Sequence, residues 1–165
     1  MRLLRLALLA LVFIAPFFRA LAAEPILKVI TPEKTVAFTA EQFAALPRSE
    51  GKAEEMHEKE ARRYSGVAMR DLLTRVGAPL GDKFRGPALG MGVLVRCKDG
   101  YTVLFSLAEF DENFSARTIV LADRENGEAL PPSAAPLRIV TPGDKRGARS
   151  ARQVISVELI SFPKP

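Results

Sequence analysis

Tryptophan is absent from the 165 residues, and there is one cysteine and one histidine. A single cysteine excludes a scaffold knitted by internal disulfides, and one Cys with one His is too few for a Cys/His zinc cage. Aromatic residues make up 7% of the chain, which argues against a platform on which nucleobases stack. No apolar run reaches the roughly 20 residues that a membrane-spanning helix needs. Ser65, Ser106 and Ser150 lie in no G-x-S-x-G elbow, and His57 would have to act alone as base, so a nucleophilic triad has little support.

What is present is ordinary for a globular protein: 48% hydrophobic and 26% charged residues, in a length that suits one domain. The formal charge is +5. Taken over the whole chain, that excess would suggest a nucleic-acid or acidic-membrane partner. Its distribution argues otherwise. Arg2 and Arg5 precede an apolar run of about 13 residues (6–18), and Ala20-Leu21-Ala22 sets small residues before Ala23. This is the pattern of a secretory signal peptide; an uncleaved N-terminal anchor is the alternative. The expectation is a signal peptide over 1–22, a single domain over 23–165, and a periplasmic location with no stable membrane span after cleavage. Without Arg2, Arg5 and Arg19 the 24 basic residues fall by three against 19 acidic ones, a net of +2. The basic excess is largely the leader, and nucleic acid is not expected as a partner.

In the remaining chain, short strands are expected at 26–30 and 35–38. A capping box, Thr39 with Gln42, opens a short helix over 40–46, stopped by Pro47. Segment 52–63 is highly charged. Its Glu55–Lys59 and Glu58–Arg62 spacings favour a helix. Met56 is almost its only apolar residue, so an exposed hairpin or edge strand fits equally well. Residues 68–76 form a better helix, with Leu72, Leu73 and Val76 on one face and Gly77 as its stop. Strong β runs at 91–97 and 101–106 meet at Asp99-Gly100, a hairpin signal. Ser106 and Glu109 form a second capping box. Further strands are expected at 118–122, 137–141 and 153–161. Strands without βαβ alternation predict a mixed, sheet-rich α+β fold with a few short helices.

Three features could carry chemistry. Cys97 ends an apolar strand. It reads as a buried small hydrophobe, with a metal or redox thiolate and an intermolecular disulfide as alternatives. His57 stands among Glu55, Glu58 and Glu60, as a base, a metal ligand or part of an exposed charged run. The loop 143–152 has Lys145, Arg146, Arg149 and Arg152, with Gly143 and Gly147 to let backbone N–H groups approach a ligand. It suits a phosphate or carboxylate, or serves as a solvated loop that keeps the protein soluble.

Several landmarks occur in order: Phe43-Ala44-Ala45-Leu46-Pro47-Arg48, Tyr64-Ser65-Gly66-Val67, Lys98-Asp99-Gly100-Tyr101, Leu121-Ala122-Asp123, Pro136-Leu137-Arg138-Ile139-Val140 and Gly147-Ala148-Arg149-Ser150-Ala151-Arg152. Together they resemble the molybdopterin-binding domain of the sulfite oxidase family, in its small exported bacterial form, over about 26–162. The resemblance implies a sheet-rich α+β fold around a pterin cleft and, where the cofactor is held, a Cys thiolate on molybdenum. That ligand would lie between the equivalents of Arg48 and Tyr64, an interval without Cys here; Met56 and His57 stand near the expected place. The resemblance also implies that Gly147, Arg149, Ser150 and Arg152 grip the pterin phosphate, with Arg replacing Lys. In this family loaded proteins are exported folded, through a twin-arginine leader, and this leader has no Arg-Arg pair. The expected function is therefore an anionic-ligand-binding or accessory module without molybdenum, meeting a small anionic ligand or a periplasmic protein. A molybdopterin-dependent oxidoreductase with an unusual set of metal ligands is the alternative.

Overall fold

The computed structural model describes residues 23–53 and 61–162. The expected leader, Met56 and His57 lie outside the described residues.

Among the described residues, ten strands form two sheets. In the first, β1 (Leu27–Ile30), β2 (Thr35–Phe38), β5 (Met91–Cys97), β6 (Thr102–Ser106) and β10 (Val154–Ser161) lie in the order β2-β1-β10-β5-β6. β1 runs parallel to β10, and the other neighbours are antiparallel. The second sheet has β3 (Ser49–Ala53), β4 (Arg62–Ala68), β7 (Val120–Glu125) and β8 (Glu128–Ala129) in that order, with β9 (Arg138–Val140) also on β7. Among the described residues the α-helices are α1 (Ala40–Ala44) and α2 (Met69–Arg75). This is the expected sheet-rich α+β architecture.

Local signals explain most of the boundaries. At α1 the Gln42 N–H donates to Thr39 Oγ1 at 3.2 Å, and the Thr39 N–H donates to Gln42 Oε1 at 2.9 Å. The expected capping box is therefore formed, over a helix two residues shorter than expected. After α2, Gly77 takes φ +96°, a conformation that suits glycine and ends the helix. Gly100 does the same in the β5–β6 turn, at φ +87°. The second capping box, Ser106 with Glu109, closes a 3-10 turn at Leu107–Phe110.

The main core joins both sheets and both helices. Leu27, Val29, Val93, Val95, Phe105, Val157 and Leu159 face Phe43, Leu72, Leu73, Leu121 and Ile139. A smaller cluster, including Tyr64, Val120, Ala122 and Val140, covers the other face of the second sheet. Successive residues on a strand point to opposite faces. Val120, Leu121 and Ala122 are all fully buried for that reason.

The described ends of segment 52–63 are strands, which agrees with the hairpin or edge-strand expectation rather than with the helix. Lys52 and Ala53 are in β3, Arg62 and Arg63 are in β4, and Lys52 pairs with Arg63 and Ala53 with Arg62. Residues 54–60 lie outside the described residues. Cross-strand pairing across β4, whose other side is held by β7, outweighs propensity differences of a few tenths of a kcal/mol per residue. β4 extends beyond that segment to Ala68, where no strand was expected. A register shift between Ser65 and Gly66 lets Gly66 approach β7 closely.

Candidate functional site

The loop between β9 and β10 is closed at its base by hydroxyls. Thr141 Oγ1 and Ser150 Oγ share a hydrogen bond of 2.8 Å, and the Thr141 N–H donates to Ser150 Oγ at 3.2 Å. Both residues are buried. Within the loop Gly143 turns the chain at φ +81°. Gly147–Arg149 form a 3-10 turn. Tyr101, from the β5–β6 hairpin, donates its hydroxyl to the Ala148 carbonyl at 3.0 Å.

Arg149 does not point into solvent. Its Nε and Nη2 donate to the two oxygens of Asp144, each at 2.8 Å, and its Nη1 donates to Glu109 Oε2 at 2.8 Å. Arg117 bonds the same two acids, reaching Asp144 Oδ1 at 2.6 Å and also Glu109. The four side chains form a closed ring of alternating charge. The Arg149 guanidinium also lies over the Phe105 ring, 5.0 Å from its centroid, a cation–π placement. Hydrogen bonds from Arg149, with help from Arg117, hold the Asp144 carboxyl below the usual carboxylate range even though burial opposes this. In return Asp144 and then Glu109 hold the Arg149 charge more firmly than usual.

Beside this ring lies a cavity of about 420 Å³. One wall is Thr141–Gly147 with Ser150. The other is Lys52, from the end of β3, and Ala61, just before β4. The tertiary fold thus brings the β3–β4 segment opposite the basic loop. Of the residues expected to grip an anion, Gly147 and Ser150 line this cavity, whereas Arg149 and Arg152 do not. The cations on its walls are Lys52, Lys145 and Arg146. All three are exposed.

Sequence reasoning missed Lys52, Glu109, Arg117 and Asp144 as parts of this site. Glu109 gave a local signal, the capping box, and it does serve there: its Oε1 accepts from the Ser106 N–H at 3.2 Å. Its second role, toward Arg149, spans 40 positions. No local spacing encodes a contact of that range.

Cys97 lies elsewhere. It is buried in the main core at the end of β5 and pairs with Val154. Burial, with a smaller push from the Asp99 charge, moves its thiol up to about 11. Of the readings open for this residue, the buried small hydrophobe fits this placement. Among the described residues no group of three or more His, Cys, Asp or Glu side chains could hold a metal.

A larger cavity, about 610 Å³, lies beside α2 and is lined by Leu46, Val67, Leu72, Leu80, Arg70 and Asp111 among others. None of the expected site residues borders it. Burial would raise the Asp111 carboxyl, but the N–H groups of Gly81 and Asn113 hold it low, donating at 2.6 and 2.9 Å. Arg70 is paired with Glu112 at 2.6 Å. These groups stabilise the local turn.

The donor set of the smaller cavity fits the anionic part of a phosphate-bearing cofactor, through Lys52, Lys145, Arg146 and the loop backbone. It does not supply a thiolate for a metal, since the one Cys of the chain is in the core.

Comparison with known proteins agrees with this architecture. A family model described as the oxidoreductase molybdopterin binding domain matches residues 29–165. No curated protein matches. Among solved structures, the chain is similar to the sulfane dehydrogenase SoxCD from Paracoccus pantotrophus, with a TM-score of 0.59 and 21% identity. The match covers 81% of this chain and 37% of that one, so the chain spans little more than a third of that relative's length. At this identity the likeness establishes the fold.

Proposed function

The chain belongs to the oxidoreductase molybdopterin binding domain family, and from that membership we propose that it is a ligand-binding or accessory module, without molybdenum, whose cleft takes a phosphate-bearing anion. One observation carries this reading. Lys52, Lys145 and Arg146 converge on the cavity, while the only thiol is locked in the core with its pKa raised. A thioether or a carboxylate is a poor substitute for an anionic thiolate on a high-valent metal. The cations on the cavity walls support an anion site, and the burial of Cys97 speaks against a thiolate there.

The chemistry available to the chain's own residues is binding and orientation. Lys145 and Arg146 supply charge from one wall and Lys52 from the other. Gly143 and Gly147 allow close backbone approach. The leader pattern supports export of the unfolded chain to the periplasm, where cofactor assembled in the cytoplasm would not accompany it.

The test is elemental analysis for molybdenum together with pterin fluorescence. It uses the full chain purified from a host that makes the cofactor, recovered both from the periplasm and after cytoplasmic expression. The expected molybdenum content is far below one per chain in both. Near-stoichiometric metal would overturn the proposal. It would favour the second reading, a molybdopterin-dependent oxidoreductase with an unusual set of metal ligands, which the extent of the family match supports. An N-terminus at Ala23 in the periplasmic protein would establish the leader.

A further inference from the structure

We propose that Arg149 is a positioning residue that preshapes the anion site, and that the phosphate of the ligand is contacted by Lys145 and Arg146, with Lys52 opposite. This rests on the reading of the cleft as an anion site and assigns the roles within it.

The argument starts from donor use. All three guanidinium nitrogens of Arg149 already donate to carboxylate oxygens, two of them bidentate to Asp144. Bidentate Arg–carboxylate pairs are among the stronger polar contacts. A phosphate taking a bidentate grip on Arg149 would have to displace one of the two acids that Arg149 shares with Arg117. Arg149 does not line the cavity, whereas Lys145 and Arg146 do. Neither of these two forms an ion pair among the described residues. They stand in the segment between Asp144 and the Gly147–Arg149 turn, and the ring grips both ends of that segment.

The ring also solves an electrostatic problem. Asp144 lines the same cavity. An uncompensated carboxylate there would repel a phosphate. The ring as a whole is neutral, Arg117 and Arg149 against Asp144 and Glu109, leaving the net positive charge of the cavity to the cations on its walls. The Tyr101 hydroxyl on Ala148 and the Thr141–Ser150 bonds brace the same loop from two other directions. A ligand then meets a loop already in place and loses less conformational entropy on binding.

The experiment is a titration of the isotope-labelled full chain with inorganic phosphate. It follows the amide signals of Gly143, Gly147 and Ser150 at two salt concentrations. Replacing Lys145 and Arg146 together by Ala should weaken binding by about tenfold or more. It should also reduce the salt dependence, because direct charge contacts are lost, and leave the ligand-free loop signals in place. Arg149→Lys keeps the charge but cannot bridge two carboxylates. It should shift the ligand-free signals of Gly147 and Ser150 and weaken binding, with the salt dependence retained. Glu109→Gln, at a residue that does not line the cavity, should shift the same ligand-free signals.

The ligand-free signals of Arg149→Lys and Glu109→Gln discriminate. Were Arg149 a direct contact and not a brace, both variants would leave the ligand-free loop signals of Gly147 and Ser150 in place, and that result overturns the proposal. So would wild-type affinity in Arg149→Lys, or in the Lys145 and Arg146 double variant. Wild-type protein without any phosphate-dependent shift at the loop would overturn the anion-site reading, and this assignment with it.

Discussion

Gly66→Ala probes the contact that seats β4 against β7. A Cβ at this position would lie 2.0 Å from the Leu121 carbonyl oxygen, 2.4 Å from Ala122 Cα and 2.6 Å from the Leu121 carbonyl carbon. Ordinary van der Waals contact begins at about 3.4 Å, and all three atoms are backbone, so no rotamer change relieves the clash. The strands must separate by more than an ångström. That breaks the ladder around Gly66↔Ala122 and Val67↔Leu121 and opens packing above and below the sheet. Overpacking commonly costs about 1–3 kcal/mol where side chains can yield. Here the backbone must yield, and we expect about 3 kcal/mol or more. A domain of this size is stable by about 5–15 kcal/mol, so the variant should fold only marginally. With a urea slope of about 2 kcal/mol per molar, the midpoint should fall by about 1.5 M. Circular dichroism is the suitable probe, since the chain has no Trp. Gly90→Ala is the control. Its Cβ meets nothing within 4 Å, and its stability should stay within about 0.5 kcal/mol of wild type. A Gly66→Ala midpoint equal to that of Gly90→Ala would refute the close approach of β4 and β7, and with it the seating of Lys52 at the cleft.

Two further predictions concern titrating groups. With its pKa raised from 9.0 to about 11, the Cys97 thiol at pH 8 should react with an aromatic disulfide at least about a hundredfold more slowly in the native than in the unfolded chain; equal rates would contradict its burial. The folded state favours the protonated thiol, so this group's contribution to stability is intact below about pH 9 and is lost as pH rises toward about 11. Asp144 titrates below an ordinary aspartate, chiefly through the hydrogen bonds of Arg149. Its contribution is present above about pH 4, the unfolded value, and is lost as pH falls through the lower folded value. A side-chain carbon titration should show that midpoint rising in Arg149→Ala, and an unchanged midpoint would remove Arg149 from the ring.

Whatever depended on near neighbours in the chain was legible in the sequence. Both capping boxes, the Gly77 stop, the Asp99-Gly100 hairpin and the alternating strands β5 and β6 arise from contacts a few residues apart, and the residue types alone specify them. The ordered landmarks from Phe43 to Arg152 were enough to point to the family and hence to the fold. The composition limited the chemistry as well, since one Cys and one His leave few ways to hold a metal. Segment 52–63 left helix and hairpin both open, because its charge spacing favours the one and its lack of an apolar face the other; at its described ends, pairing between β3, β4 and β7 decided for strands. The site divided in the same way. The basic loop was visible as a cluster of cations, but Arg149 and Arg146, three positions apart, have opposite surroundings. Only the tertiary structure brought Glu109 and Arg117 to Arg149, buried Cys97 away from the cleft and set Lys52 across from Lys145. The physical reason is that a charge takes its role from the charges and solvent around it, and those are supplied by residues tens of positions away in the chain.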